Sequence, residues 1–397
     1  MQQFNMANTK DAKKPALGSV VVTGGCGFLG HHIVDLLVSS YDCKTTVIDL
    51  RTNRNRRPDS DAVDYFDVDI LKQEFLDEVF GSVKPDVVIH TVSPLAQGQS
   101  RAAKDVFYKV NVEGTKNIIE ACEKHNVKAL VYTSSSSIVS DNVTDLINVD
   151  ERWPVITGKL QTEYYSHTKV DPPVSYIRSF IILTFQAHAE ALVLAANRKS
   201  SLLTCSIRPS GIFGEGDQQM IPGAMGVYKA GKHKWQLGEN NNLFDFTYVK
   251  NVAHGHILAA VALLEAHAQS KPVPEHQRVD GEAFFITNGE PVYFWDMLRA
   301  IWAVQGSQLG PDDFRTISKD LGVTIGWLAE TVSWCLGRQS LFTRQRVIYT
   351  NMTRYFNIDK AVSRLGYAPL YGMQEAVQRS VKWFLEEEKR DAEKKTI

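Results

Sequence analysis

The sequence predicts an α/β fold built on a doubly wound parallel sheet. Short β-branched runs alternate with amphipathic helical stretches through the first half of the chain, and the first run opens onto a glycine-rich turn that leads straight into a helix. A parallel strand covered on both faces shows as an unbroken apolar run. Ser19–Thr23 (SVVVT), Thr45–Leu50 (TTVIDL), Asp86–His90 (DVVIH), Ala129–Thr133 (ALVYT) and Leu202–Ile207 are such runs. Phe28–Ser39 carries apolar residues at helical spacing, and Val106–His125 reads as a long helix. Beyond residue 210 short strands and helices are separated by Gly-, Asn- and Pro-rich loops, as in a smaller C-terminal α+β substrate-binding part.

Composition narrows the function classes. At 397 residues the chain can bury one large α/β core and a smaller one. A formal net charge of −1 supplies no basic field for a nucleic acid. The five cysteines are odd in number and lack CxxC spacing, which fits a reducing compartment and neither a disulfide framework nor a zinc site. His31, His32, His167, His254 and His256 form no metal-like grouping with carboxylates, so no metal is expected. Residues 1–17 are polar and Lys-rich, a disordered leader in expectation rather than a signal peptide. No apolar run is long enough for a conventional membrane span. The Asn142 and Asn351 sequons carry no meaning in a protein facing the cytosol.

The turn Thr23–Gly30 (TGGCGFLG) places Gly24, Gly27 and Gly30 at G-x-x-G-x-x-G spacing between a strand and a helix. Glycines there let the backbone turn sharply and approach a pyrophosphate, which sits on the helix N-terminus beside Phe28 and Leu29. This is the Rossmann arrangement. Asp49 ends the second strand, where a carboxylate accepts both ribose hydroxyls and repels a 2′-phosphate, favouring NAD over NADP. Arg51, Arg54, Arg56 and Arg57 follow at once; they either form a solvated basic loop or offer a 2′-phosphate site. Asp69 and Ile70 are placed to touch the adenine.

Tyr165 and Lys169 form a YxxxK pair, which on a helix shares one face. A phenol with its usual pKa of about 10 is a poor base at neutral pH. A neighbouring ammonium stabilises the phenolate and makes it a usable one. Lys169 belongs to the cofactor site as well. The strand Leu130–Thr133 runs into four serines, and Ser135, with Ser136 or Ser134 as alternatives, is the hydroxyl expected to bond the substrate oxygen.

TGGCGFLG, Asp49, NVEGTKN from Asn111, YTSSSS, YYSHTK and RPSGIFGEGD from Arg208 together resemble the extended short-chain dehydrogenases. Within them the chain is similar to the 3β-hydroxysteroid dehydrogenase family. The stretches from Arg208, from Asn242 (NLFDFTYVKNVAHGH) and from Gly281 (GEAFFITNGEPVYFWD) look most like its decarboxylating sterol-4α-carboxylate 3-dehydrogenases. The resemblance covers residues 18–388 apart from one segment. It implies that Pro209 to Ile212 line the nicotinamide carboxamide and that Asn111 supports the active-site architecture. It also implies oxidation of a sterol 3β-hydroxyl by NAD. The resulting ketone stands next to a carboxylate, and such a β-keto acid loses carbon dioxide without a separate base. Arg208 is a candidate for binding that carboxylate, with a structural arginine as the alternative. The resemblance further implies the cytosolic face of the endoplasmic reticulum membrane, partner enzymes of sterol C4-demethylation (a C4-methyl oxidase and a 3-keto reductase) and a homodimer.

Two segments stand apart. Within residues 311–340, Leu321–Leu336 (LGVTIGWLAETVSWCL) is apolar, Trp-containing and interrupted by Glu330. It is too short to span a bilayer and suits either a peripheral membrane contact or a buried helix. Residues 170–186 (VDPPVSYIRSFIILTFQ) interrupt the resemblance, in which YSHTK runs directly into AHAEALVLAANR. Pro172 and Pro173 stop the catalytic helix, and FIILTF is a β-prone run. A Val codon begins GT and a Gln codon can end AG, so the segment reads as a retained intron, in frame; a genuine lid or membrane loop is the rival.

The expected organisation is an NAD-binding domain over 18–210 and a mainly substrate-binding part over 211–390, some of whose segments return to the first domain. The competing functions are a nucleotide-sugar epimerase or dehydratase, a ketone reductase, and a non-catalytic NAD-binding regulator of the same fold. Asp49, the Tyr165/Lys169 pair and the apolar 311–340 region speak against them.

Overall fold

The computed structural model describes residues 14–94, 101–156, 174–269, 271, 273–336, 340 and 342–394. Seven parallel strands form the main sheet in the order β3 (Asp64–Asp67), β2 (Asp42–Asp49), β1 (Ala16–Thr23), β4 (Val87–His90), β5 (Ala129–Thr133), β7 (Leu203–Pro209), β12 (Glu282–Ile286). The order runs outward in both directions from the β1/β4 junction, the switch point at which such sheets bind ligands beyond the strand C-termini.

Strand pleating sends alternate side chains to opposite faces. Val20 and Val22 enter one core, with Ile33 and Leu37 of α1 (Phe28–Ser40) and Val252 and Leu263 of α7 (Val249–Ala268). Val21 enters the other, with Leu76 and Phe80 of α2 (Gln73–Val83), Ile118 and Cys122 of α4 (Thr115–Lys124), and Ala189 and Val193 of α5 (Val174–Ala195). Helix α3 (Arg101–Tyr108) continues into α4 through a π-helical stretch, Lys109–Gly114. The FIILTF run expected to be β-prone is helical: α5 begins at Val174, directly after the two prolines, and passes through Gln186 into AHAEALVLA without a break. An all-apolar run carries no readable period, and the amphipathic helix that follows decides its conformation.

A second sheet, ordered β13 (Val292–Tyr293), β10 (Leu243–Phe244), β15 (Arg354–Phe356), β6 (Leu146–Val149), draws strands from both halves of the chain. Its residues Leu146, Val149 and Phe356 share a small core with Ile138, Val139 and Phe285. Near it, β9 (Trp235–Leu237) pairs with β14 (Arg315–Ile317). After α6 (Met220–Lys229) and α8 (Phe294–Val304), α9 (Lys319–Cys335) packs on α10 (Arg344–Asn351). The chain closes with α11 (Asp359–Leu365) and α12 (Met373–Lys394). Among the described residues no helix is long and apolar enough to cross a membrane.

Candidate active site

Three glycines of the β1–α1 turn have three different steric reasons. Gly24 has φ +74°, and a β-carbon on it would meet Thr91 Oγ1 at 2.9 Å. A β-carbon on Gly30 would stand 2.1 Å from the Gly24 carbonyl oxygen, so glycine alone permits this approach of helix to turn. At Gly27 the same atom would meet only the Gly24 oxygen, at 3.0 Å, leaving the helix N-terminus otherwise open. Phe28 is half-buried, while the Leu29 side chain packs into the core. Asp49 accepts the Cys26 N–H at 3.1 Å through Oδ2 and the Arg51 N–H at 3.3 Å through Oδ1. An open helix N-terminus beside a carboxylate fixed at the end of the second strand fits a dinucleotide, phosphate end at the glycines and ribose end at Asp49.

Two members of the basic run are engaged locally. Arg57 bonds Asp61 at 2.7 Å and Asp35 at 3.0 Å. Arg56 lies 4.3 Å over the Tyr65 ring. Asp69 uses Oδ1 to accept the Leu71 N–H at 3.0 Å. Ile70 is buried against Gly114, and its carbonyl accepts from Asn117 Nδ2 at 2.9 Å.

Ser135 follows β5 as the N-cap of a short 3-10 turn, Ser136–Val139, its Oγ accepting the Ser137 N–H at 3.1 Å. That bond occupies a lone pair and leaves the hydroxyl proton of this half-buried side chain to donate. The neighbouring serines differ. Ser134 is buried, its Oγ without a partner among the described residues. Ser136 and Ser137 accept from Arg354 Nη2 at 3.2 Å and 2.6 Å. Pro209 ends β7, and Ile212 lies in β8 (Ile212–Phe213), which pairs with β11 (Thr247–Tyr248). The glycine turn, Asp49, Asp69, Ile70, Ser135 and Pro209 therefore all sit at or beyond the C-terminal ends of parallel strands of one sheet. Tyr165 and Lys169 lie outside the described residues.

Hydrogen-bonded chains between distant elements support the site, and no local motif announces them. Thr115 donates to the Asn111 carbonyl at 2.6 Å, so its oxygen accepts from His90 Nε2 at 3.1 Å, and His90 Nδ1 accepts from Thr23 Oγ1 at 2.6 Å. This chain ties the last residue of β1 to the π-helical stretch carrying buried Asn111, whose Nδ2 has no partner among the described residues. His90 must be neutral for this, and burial pushes its pKa down to about 4. His256 works alike: Nδ1 donates to the Val252 carbonyl at 2.8 Å and Nε2 accepts from Thr133 at 2.8 Å. No group able to hold a metal ion occurs among the described residues.

Arg208 is paired with a carboxylate of the protein itself, only its Nη1 being without a partner among the described residues. Buried Glu190 of α5 accepts from its Nε at 3.0 Å and its Nη2 at 2.5 Å, and also from Ser206 at 2.8 Å. The alternative of a structural arginine at the strand end is the observed one. Glu190 stands eighteen residues away in sequence, and no local pattern pairs the two.

Residues 21–313 match the 3-beta hydroxysteroid dehydrogenase/isomerase family. A protein of Schizosaccharomyces pombe named as a decarboxylating sterol-4-alpha-carboxylate 3-dehydrogenase is 38% identical over 94% of this chain and 99% of its own length. Proteins of the same name from Saccharomyces cerevisiae and Bos taurus are 34% and 33% identical, covering 92% and 93% of this chain and 98% and 93% of their own. Among solved structures, a UDP-glucose 4-epimerase from Thermotoga maritima superposes with a TM-score of 0.62 at 17% identity, covering 93% of this chain and 99% of that one. A dTDP-glucose 4,6-dehydratase from Bacillus anthracis in complex with NAD gives 0.63 at 18%, covering 94% and 97%. At such identities these likenesses concern the fold alone.

Proposed function

The chain belongs to the 3-beta hydroxysteroid dehydrogenase/isomerase family, and on that footing we propose that it oxidises the 3β-hydroxyl of a 4α-carboxysterol with NAD, releasing carbon dioxide. The observation that carries this reading is similarity to proteins named for that reaction over nearly the whole chain, 33–38% identical, against 17–18% for sugar-nucleotide enzymes that share the fold. Bound NAD supplies the hydride acceptor. Gly24, Gly27, Phe28, Leu29, Gly30 and Asp49 hold it, with Asp69, Ile70, Pro209 and Ile212 at its two ends. Ser135 donates to the substrate oxygen, Tyr165 takes the hydroxyl proton as phenolate, and Lys169 keeps that phenolate accessible near neutral pH while holding the cofactor. The ketone so formed withdraws electrons from the adjacent carbon, and the carboxylate leaves as carbon dioxide.

The reading places the protein peripherally on the cytosolic face of the endoplasmic reticulum membrane, beside enzymes that supply the carboxylate and reduce the ketone. Helix α9 supports the membrane contact. Its inner face is small: a β-carbon on Gly326 would meet the Arg344 N at 2.7 Å. Its large apolar side chains point outward, Trp334 being 80% and Trp327 47% exposed. Exposed Trp235, Arg315 and Lys319 adjoin its N-terminus through the β9–β14 pair, the aromatic and basic mixture suited to a lipid interface.

The test is NADH formation with equimolar carbon dioxide from a 4α-carboxysterol, run beside UDP-glucose. Turnover of the sterol supports the reading; turnover of the sugar nucleotide alone replaces it.

A further inference from the structure

Arg354 is 3% exposed and lies on β15, more than two hundred residues from the serine loop it touches. Its Nη2 bonds Ser136 Oγ at 3.2 Å and Ser137 Oγ at 2.6 Å, while its Nε has no partner among the described residues. The rings of Phe244 and Phe356 flank the guanidinium, at 5.9 Å and 5.8 Å. Among the described residues no carboxylate oxygen lies within 4.0 Å of it. Asp245, the acid that acts on it electrostatically, spends Oδ2 on the Phe356 N–H at 2.8 Å, and burial pushes its pKa up to about 7, so its charge compensates the arginine incompletely. A buried cation costs several kcal/mol unless an anion pairs with it. Among the described residues the fold meets that need at Arg208 with Glu190 and leaves it unmet at Arg354.

Ser136 and Ser137 directly follow Ser135, the residue proposed to bond the reacting oxygen. A carboxylate on the carbon next to the reacting one is confined to within a few ångströms of that oxygen, so a cation that recognises it must adjoin the serine loop. Arg354 does, and its planar donor edge is suited to a carboxylate.

We propose that Arg354 is the specificity-determining cation for the substrate's 4α-carboxylate, presented beside Ser135 through its contact with Ser136 and Ser137. This rests on the proposed sterol oxidation and adds the residue that distinguishes a carboxylated sterol from one bearing a methyl group at the same carbon.

The experiment measures binding of a 4α-carboxysterol and of the matching 4α-methylsterol to the NAD-saturated full chain, in wild type, Arg354→Lys and Arg354→Met. Wild type is expected to prefer the carboxylate by about 10- to 100-fold, Arg354→Lys to keep part of that preference, and Arg354→Met to abolish it while holding its affinity for the methylsterol. Equal losses for both ligands in Arg354→Met would mean that Arg354 only anchors the loop, and Ser137→Ala, which removes one anchor and no charge, separates the two roles by leaving the preference intact. A wild type without preference, or a preference that survives Arg354→Met, overturns the proposal. Turnover of the carboxysterol by wild type is read separately and tests the proposed reaction itself.

Discussion

Glu330 accepts both the Arg344 backbone N–H and its Nε, each at 2.8 Å, and so turns the one acidic side chain in the apolar stretch of α9 inward onto α10. Together with Gly322 and Gly326 it lines the buried stripe of the helix, the reverse of an ordinary amphipathic arrangement, in which the large apolar residues face inward. What remains outside is Leu321, Ile325, Leu328, Val332 and the two tryptophans. Exchanging Trp327 and Trp334 for serine is expected to lower partitioning onto vesicles of neutral and anionic phospholipid by at least about tenfold, since each exposed aromatic forfeits apolar burial in lipid. Thermal stability is expected to hold, because neither ring packs in the core. Unchanged co-sedimentation of the double variant would remove α9 from the membrane contact.

The glycines of the β1–α1 turn make a paired prediction. Gly27→Ala places its β-carbon 3.0 Å from the Gly24 carbonyl oxygen and otherwise clear of neighbours, at a position with φ −78°, which alanine adopts, so the fold loses about 1 kcal/mol. NAD affinity falls by at least about tenfold, because the new methyl group occupies the approach to the helix N-terminus. Gly30→Ala instead forces α1 away from the Gly24 carbonyl and costs about 1–3 kcal/mol or more of stability. Thermal melts with and without NAD separate the two. Equal melting losses in both variants would mean that Gly27 serves packing rather than the cofactor.

The buried histidines set an acid limit. His90, His254 and His256 have pKa values pushed by burial from 6.5 to about 4. The unfolded chain takes up these protons below pH 6.5 and the folded chain does not until about pH 4, so their contribution is complete above 6.5 and is lost as the pH falls toward 4. Asp245 has the opposite sign: raised from 3.8 to about 7, it stabilises below 3.8 and loses that contribution as the pH rises to 7. The histidines whose pKa burial lowers, His254, His31 and His32 among them, outnumber the carboxyls whose pKa it raises, Asp245, Glu151 and Asp217, and stability should decline on acidification through this window. Urea midpoints at a series of pH values check it: Asp245→Asn should steepen the decline and His90→Gln with His256→Gln should flatten it. An acid slope indifferent to the histidine changes would place the acid sensitivity elsewhere.

The parts legible in the sequence are those whose cause is local. A glycine turn between a strand and a helix, and an aspartate at the next strand's end, each state their geometry within a few residues. The pairs Arg208–Glu190, Arg354–Ser137 and His90–Thr115 join elements far apart in sequence, and each partner looks ordinary in its own neighbourhood. The apolar α9 could be located in the sequence, but which side faced outward depended on Gly322, Gly326 and Glu330 meeting α10, a contact with no local signature. FIILTF failed for a different reason, since its β propensity yields to a helix that continues through it.

That helix bears on residues 170–186. Its C-terminal half is fixed by Ala189 and Val193 in the core and by Glu190 on Ser206 and Arg208. Joining Lys169 directly to Ala187 would set Lys169 four positions before Glu190 and Tyr165 four before that, a single helical stripe continuing the face that already meets the sheet. In the full-length chain two prolines and the rest of the segment intervene between Lys169 and Ala187. The segment is therefore expected to be a retained intron absent from the mature enzyme. A chain lacking 170–186 should oxidise the carboxysterol at least about 100-fold faster than the full chain, because a catalytic pair tolerates little displacement. Tryptic peptides of the native protein provide the independent check: AHAEALVLAANR comes from a spliced product and SFIILTFQAHAEALVLAANR from the full one. Recovery of only the longer peptide, with full activity in the chain that contains it, would make the segment a genuine loop and require Tyr165 and Lys169 to be held by contacts other than a continuous helix.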